Sequence, residues 1–334
     1  PKPMQHSIGI TPQFGKQITQ WQVCGTCHNI LLPVFNNDGT QVGSSYEQTT
    51  HLEWTNSVFG PNRSEFQSCQ GCHMQTHYKG EELTFKIANI ESSDSAPTTE
   101  RLPNPDIKLK PRNPYSRHQL HGLNVFINQM FQQFPLILGE RQIDFMTGSG
   151  VVPPLITGFN SMLEMAEKET AVVNIDSIEK TADGKLKTKV NVTSLVGHYL
   201  PSGVGFRRVF LEFKVLDKDG NLLWASGRTN ELGAILDGTT DKVLPSEQPV
   251  KFPEAPFQPH YQVITSGDQV QIYQETIKNS AGQLTTSFLR RVNKVKDNRI
   301  RPKGFDPAFF AMNPSPFVQE LAEIPGQAKF DPHY

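Results

Sequence analysis

The chain has 334 residues, with 32 Lys plus Arg against 33 Asp plus Glu, and a formal net charge of -1 at pH 7. This balance excludes the strongly basic surface of a nucleic-acid binder, and no run of about 18 apolar residues is present that would cross a bilayer. The length suggests two domains. A hydrophobic content of 36% with 25 prolines indicates a loop-rich chain whose thin apolar core needs a further component.

All four cysteines fall in two C-x-x-C-H motifs, Cys24–His28 and Cys69–His73. This pattern is the attachment signature of c-type haem. Two thiols at this spacing reach the vinyl groups on one porphyrin edge and form thioethers, and the histidine that follows lies under the ring as an iron ligand. We therefore predict two covalently attached haem c groups. The residues that hold them are Cys24, Cys27, Cys69 and Cys72 as attachment sites and His28 and His73 as iron ligands.

Three other interpretations of the cysteines compete with this one. A four-cysteine zinc site is disfavoured because 41 residues separate the two pairs, well beyond the ~15–20 that are typical. A thioredoxin-like redox pair lacks the surrounding βαβ pattern, and structural disulfides would leave both adjacent histidines to coincidence. Because thioethers to haem form outside the cytoplasm, we predict a periplasmic or extracellular protein. The polar segment after Pro1 then begins a chain whose signal peptide has been removed.

In chain order, residues 1–165 are predicted to form a loop-rich dihaem domain of short helices. Apolar residues recur at helical spacing most clearly around 118–134 and again near 159–168. From about residue 166 the period changes to two, as in half-buried strands. Seven strands are predicted at 171–179, 185–194, 207–217, 221–228, 261–265, 268–278 and 284–293. The predicted fold class is α+β, with an antiparallel immunoglobulin-like β-sandwich at 166–300 and an extended, proline-rich tail at 301–334.

The function depends on whether each iron has a sixth ligand, because a fully coordinated iron passes electrons and an open one binds small molecules. His118 is the first candidate, since it opens the clearest apolar helical segment. His51 is the second, since it lies beside Trp54. The other candidates are His77, His198 and His121, followed by Met130 and Met146, which are more typical of a core. Imidazole ligands on both faces would favour lower potentials than a His/Met pair.

Several runs together resemble exported multihaem c-type cytochromes of anaerobically respiring bacteria, in which a haem domain precedes a β-sandwich. The runs are His51-Leu52-Glu53-Trp54, Gly197–Gly203 with Arg207-Arg208, Pro259-His260-Tyr261, Asp268–Tyr273 and Lys296–Arg299. The resemblance implies electron transfer between redox proteins in the periplasm or at the cell surface. It also favours His118, through the arrangement His118, Gly122 and Asn124. Relatives often have a further histidine where this chain has Tyr46 or Phe59, which makes His51 the substitute for the first haem.

Three functional hypotheses follow from these features. The first is a dihaem electron carrier whose partners are other redox proteins, with the sandwich as a scaffold that can join copies into a homo-oligomer or polymer. The second is an enzyme in which one open iron reduces a small substrate such as peroxide. The third is a surface-binding module in the sandwich, supported by aromatic residues such as Trp224, with the haems as accessories.

Overall fold

The computed structural model describes residues 11, 13–78, 81–83, 115–116, 118, 120, 122–139, 152–248, 257–322 and 328. Within these ranges the chain is a mixture of short helices and antiparallel sheets, which confirms the α+β class. No helix in these ranges is long and apolar enough to cross a membrane. The candidate ligands His121 and Met146 lie outside the described residues.

The helices of the described residues are short. They are α1 (Gln22–Gly25), α2 (Thr50–Thr55), α3 (Cys69–His73), α4 (Val125–Gln133), α5 (Pro135–Leu138), α6 (Pro154–Met165), α7 (Pro307–Ala311) and α8 (Pro316–Gln319). The strands are β1 (Ile30–Phe35), β2 (Gln41–Gln48), β3 (His77–Tyr78), β4 (Glu81–Glu82), β5 (Ala171–Lys180), β6 (Leu186–Ser194), β7 (Arg208–Phe210), β8 (Phe213–Leu216), β9 (Leu222–Ser226), β10 (Ile272–Lys278), β11 (Leu284–Thr285) and β12 (Asn293–Asp297). Short 3₁₀ turns and one π turn connect some of these elements.

The chain divides into two compact units, each made of two segments. The first unit lies within residues 1–24 and 67–169, and the second within 25–66 and 170–334. The predicted boundaries near residues 165 and 300 stay predictions.

In the first unit, α4 packs against α6. The close approach occurs at Gly158, where a Cβ would lie 3.5 Å from Nδ2 of the buried Asn128. Helix α4 begins at Val125, after Asn124 in the N-cap position. His118 therefore precedes the helix. The sequence pattern had predicted that His118 opens it. One reason is Leu120, whose positive φ of 49° does not fit a right-handed helix.

In the second unit, β10 is the centre of a four-stranded antiparallel sheet with β7, β11 and β12. Two apolar clusters form its core. One contains Ile235, Leu244, Val270 and Ile272 with Phe210 packed against them. The other contains Phe310, Val318 and Leu321 with Tyr46, Leu52 and Phe305. The second cluster fixes α2 through Leu52, and α2 is the helix that carries His51.

The immunoglobulin-like sandwich of seven strands is not confirmed. The predicted strand at 207–217 is interrupted at Leu211 and Glu212, so that β7 joins the four-stranded sheet while β8 pairs with β9 alone. Residues 261–265 form no strand. The strands β5 and β6 also pair only with each other. The described sheets are therefore separate hairpins beside one larger sheet.

The prediction of an extended tail at 301–334 is wrong for the described part of this segment. Helices α7 and α8 lie there, and each begins with a proline in its first turn, Pro307 and Pro316. Proline suits this position because its missing N–H would have no partner inside the helix. Asp306 accepts a hydrogen bond from the N–H of Ala308 and caps α7. Two of the prolines that indicated an extended chain therefore begin helices instead.

Candidate haem sites

Gln48 fixes the orientation of His28 in the first motif. The side chain of Gln48 donates from Nε2 to the carbonyl oxygen of Cys27 at 3.2 Å, so its Oε1 is the atom 3.1 Å from Nδ1 of His28. An amide oxygen only accepts, and Nδ1 must therefore carry the proton. This leaves the lone pair on Nε2, which is the nitrogen that a bound metal requires. The first motif thus fits the predicted role of His28 as an iron ligand.

The second motif forms its own short helix, α3. Ser68 caps it, because its Oγ accepts a hydrogen bond from the N–H of Gly71 at 3.1 Å. Gln70 ties the helix to the chain before the first motif by donating to the carbonyl oxygens of Gln20 at 2.9 Å and Ile18 at 3.4 Å. These contacts lie within the first unit and hold Cys69 and Cys72 in a fixed position.

The first cysteines of the two motifs, Cys24 and Cys69, lie beside each other. Burial, together with a smaller effect of the neighbouring Cys24 side chain, raises the pKa of the Cys69 thiol to about 12. Burial also raises the pKa of the Cys72 thiol, and the Glu169 carboxylate adds to this effect. All four cysteines are free thiols in this structure. The surroundings of Cys69 and Cys72 disfavour a thiolate and suit an uncharged sulfur, such as that of a thioether.

The first unit exposes much apolar surface and buries little. Among its described residues the buried side chains are those of Asn128 and Ser161, and both are polar. Exposed large apolar residues reach 95% at Leu136 and 82% at Ile137. The others are Phe14, Ile18, Val23, Leu120, Leu123, Phe126, Ile127, Phe134, Leu138, Val152, Ile156 and Leu163. A surface of this kind fits a large apolar group that covers it.

His51 lies next to the first motif. Its N–H donates to the carbonyl oxygen of His28 at 3.1 Å. Its ring packs on Gly25, where a Cβ would come within 2.9 Å of Cδ2. Burial lowers the pKa of His51, which favours the neutral imidazole that a metal binds. The structure therefore brings this candidate ligand to the first motif.

The other described histidine candidates lie in a turn, on β3 and in the second unit. His118 is exposed in a turn. His77 lies on β3 and not on a helix with His73, and its Nδ1 is 3.0 Å from Oγ1 of Thr76. His198 is half-buried in the second unit and donates from Nδ1 to the carbonyl oxygen of Tyr199 at 3.0 Å. Their roles as ligands stay predictions.

Glu53 is a residue of this region that the sequence did not single out for a role. Its side chain is fully buried. One carboxylate oxygen accepts from Oγ1 of Thr49 at 2.6 Å, and the other accepts from the N–H of Tyr199 at 3.0 Å and from Oγ of Ser202 at 2.6 Å. Nη1 of Arg299 lies 3.4 Å from the first oxygen. Glu53 thus joins the helix of His51 to the loop of His198.

Arg299 connects Glu53 to the end of β12. It donates from Nε and Nη2 to the two oxygens of Asp297, both at 2.8 Å. Burial alone would raise the pKa of Asp297, but the Arg299 guanidinium and its hydrogen bonds outweigh it and lower this pKa to about 2. The buried charges are therefore arranged in a fixed chain from α2 to β12. The one indication of this network in the sequence was the run Lys296–Arg299, in which charged residues are unusually dense.

No family model and no curated protein matches the chain. It is similar to the crystal structure of a penta-haem cytochrome c552 from Thermochromatium tepidum, with 13% sequence identity and a TM-score of 0.39. The match covers 86% of this chain and 43% of that one, so the chain spans less than half the length of that structure.

Proposed function

We propose that this chain carries two haem c groups and transfers electrons between redox proteins outside the cytoplasm. Cys24 and Cys27 would hold one haem, and Cys69 and Cys72 the other. The observation that carries the proposal is the contact of Cys24 with Cys69. Each of these thiols would anchor the edge of one porphyrin, so the two attached edges would be neighbours. Proximity of this kind suits electron transfer between the two groups.

When bound, the haem irons supply one-electron redox chemistry. The protein's own residues hold and insulate them. Gln48 keeps the Nδ1 proton of His28 in place, and the exposed apolar side chains of the first unit would exclude water from the ring faces. His51 is the distal ligand that we propose for the first haem, because burial lowers its pKa and its ring lies beside that motif. For the second haem, His118 stays the predicted ligand.

We expect two thioether-bound haems in the exported protein. Intact-mass measurement under denaturing conditions should show the polypeptide plus two haems, and Cys69→Ala/Cys72→Ala should carry one. Because haem attachment uses only the cysteines and the histidine of the motif, Thr26→Ala is the matched control inside the first motif and should keep both haems. Unmodified thiols, or zinc in place of haem, would contradict the proposal.

The same sample separates a carrier from an enzyme. With both irons fully ligated, the visible spectrum of the reduced protein stays unchanged when CO is added. A shifted haem band would instead favour the second hypothesis, in which an open iron reduces a small substrate.

Gln48 should tune the potential of the haem at the first motif. An acceptor at Nδ1 increases the electron donation of the imidazole, so Gln48→Leu should raise the midpoint potential of one haem and Gln48→Glu should lower it. The expected shift is on the order of 50 mV, since a tenfold change in a one-electron equilibrium is about 59 mV. Spectroelectrochemical titration measures it. Gln41→Leu, on the same strand and away from His28, should leave both potentials unchanged, and equal shifts in this control would count against the role of Gln48.

A further inference from the structure

The hairpin β5–β6 is long, and no third strand among the described residues pairs with it. Nine residue pairs join the two strands, from Ala171 and Ser194 to Lys180 and Leu186. Isolated two-stranded hairpins are marginally stable in water, and they normally need packing on one face. A hairpin of this length therefore points to a packing partner.

The register places most of the apolar residues of the two strands on one face, and Val172 on the other. Residues paired directly across antiparallel strands point to the same side, and successive pairs alternate. The apolar face consists of Val173, Ile175 and Ile178 on β5 with Leu186, Val190 and Val192 on β6. The opposite face carries polar pairs such as Asn174 with Asn191 and Glu179 with Lys187.

The apolar face is open to solvent. Val173, Ile175, Ile178 and Leu186 are each between 54% and 61% exposed. Contiguous exposed apolar patches mark interaction sites on protein surfaces. The only charged side chain among the residues of this face is Lys180, at its far end.

We propose that this apolar face docks on the same face of a second copy of the chain. The ladder is close to palindromic about its fifth pair, which is Ile175 with Val190. If the two faces stack with their strands antiparallel, around a two-fold axis at that pair, Ile175 of one copy contacts Ile175 of the other. Val173 then meets Ile178 of the other copy, and the long Lys180 passes over the small Ala171. Such a contact is isologous, and two sheets pack in this way about 10 Å apart.

The size of the face sets the strength of the contact. Nine pairs at about 3.4 Å give a length of about 30 Å, and two strands with their side chains are about 12 Å wide. Each copy therefore contributes about 350 Å², and the pair lies below the roughly 1,200 Å² of a stable complex. We infer a weak dimer with a dissociation constant of tens to hundreds of micromolar. It does not depend on the proposed haems.

Charges placed on the two-fold axis test this geometry. Sedimentation velocity of the full-length protein, at concentrations from about 1 µM to 1 mM, should show reversible dimers. Ile175→Lys and Ile175→Glu, each alone, should weaken dimerisation at least about tenfold, because identical charges meet at the axis. An equimolar mixture of the two variants should form heterodimers again. Asn174→Lys, on the opposite face, should dimerise within about twofold of the unchanged chain.

Each outcome decides the proposal. Unchanged protein that stays monomeric up to 1 mM overturns it, and this measurement needs no variant to fold. A mixture of the Lys and Glu variants that stays monomeric also overturns it, provided that circular dichroism shows both folded. If the chain remains monomeric but sediments with phosphatidylglycerol vesicles through Ile175, the face binds lipid and the second copy is excluded.

Discussion

Replacing Glu53 with alanine should destabilise the second compact unit by about 3–5 kcal/mol, the usual cost of removing one partner from a buried charged network. The variant leaves the N–H of Tyr199 and the hydroxyl of Thr49 without their acceptor. The hydroxyl of Ser202 also loses Glu53 but keeps Oγ1 of Thr50 at 2.8 Å. Each buried donor that loses its partner costs about 1–3 kcal/mol. Arg299 keeps Asp297 as a partner, which limits the loss. Urea unfolding followed by far-ultraviolet circular dichroism measures the change.

Two further variants separate the buried network from a general effect of losing a glutamate. Glu53→Gln keeps the shape and one acceptor oxygen, so its loss should be intermediate. Glu65→Ala removes a half-exposed carboxylate of the same unit that pairs with Lys303, and we expect a change within about 0.5 kcal/mol. If Glu53→Ala costs no more than Glu65→Ala, the network does not stabilise α2. Because α2 carries His51, the first haem should also become accessible to CO in Glu53→Ala.

The motifs could be identified from the sequence because haem attachment depends on five consecutive residues. Their surroundings could not. Gln48 is 20 residues from His28 and reaches it only because β1 and β2 form a hairpin that returns the chain to the motif. Glu53 and Tyr199 are 146 residues apart, so no local pattern indicates that the glutamate between Leu52 and Trp54 is the centre of a buried network.

The strands and helices were predicted where local chemistry alone decides them. Period-two alternation and the turn at Asp183-Gly184 predicted β5 and β6 to within two residues at each end. The same alternation could not show whether a further described strand pairs with this hairpin, because pairing is a long-range property. Proline led to a wrong prediction for the tail. It favours both extended chain and the first turn of a helix, and the packing of Phe310 and Val318 decided for helices.

Stability of the second unit should rise with pH between about 7 and 10 because of Lys296. Its ammonium group is buried and donates to the carbonyl oxygen of Ile272 at 2.7 Å. Burial lowers the pKa of Lys296 to about 7, against a smaller opposing effect of Asp297. In this window the unfolded chain binds a proton that the folded chain does not. The free energy of unfolding therefore increases with pH, by at most about 1.4 kcal/mol per pH unit from this group.

Lys296→Met should remove this slope, because methionine fills a similar volume and carries no proton to titrate. Below pH 7 the variant should be more stable than the unchanged protein, since folding no longer buries an ammonium group. Lys294→Met is the matched control on the same strand. It removes an ion pair with Glu320, so it should lower stability while leaving the slope between pH 7 and 10 intact. The urea concentration at the unfolding midpoint, measured at each pH, distinguishes the two variants. Equal slopes in the unchanged protein and in Lys296→Met would show that Lys296 keeps its proton in the folded chain, and that Asp297 compensates its burial.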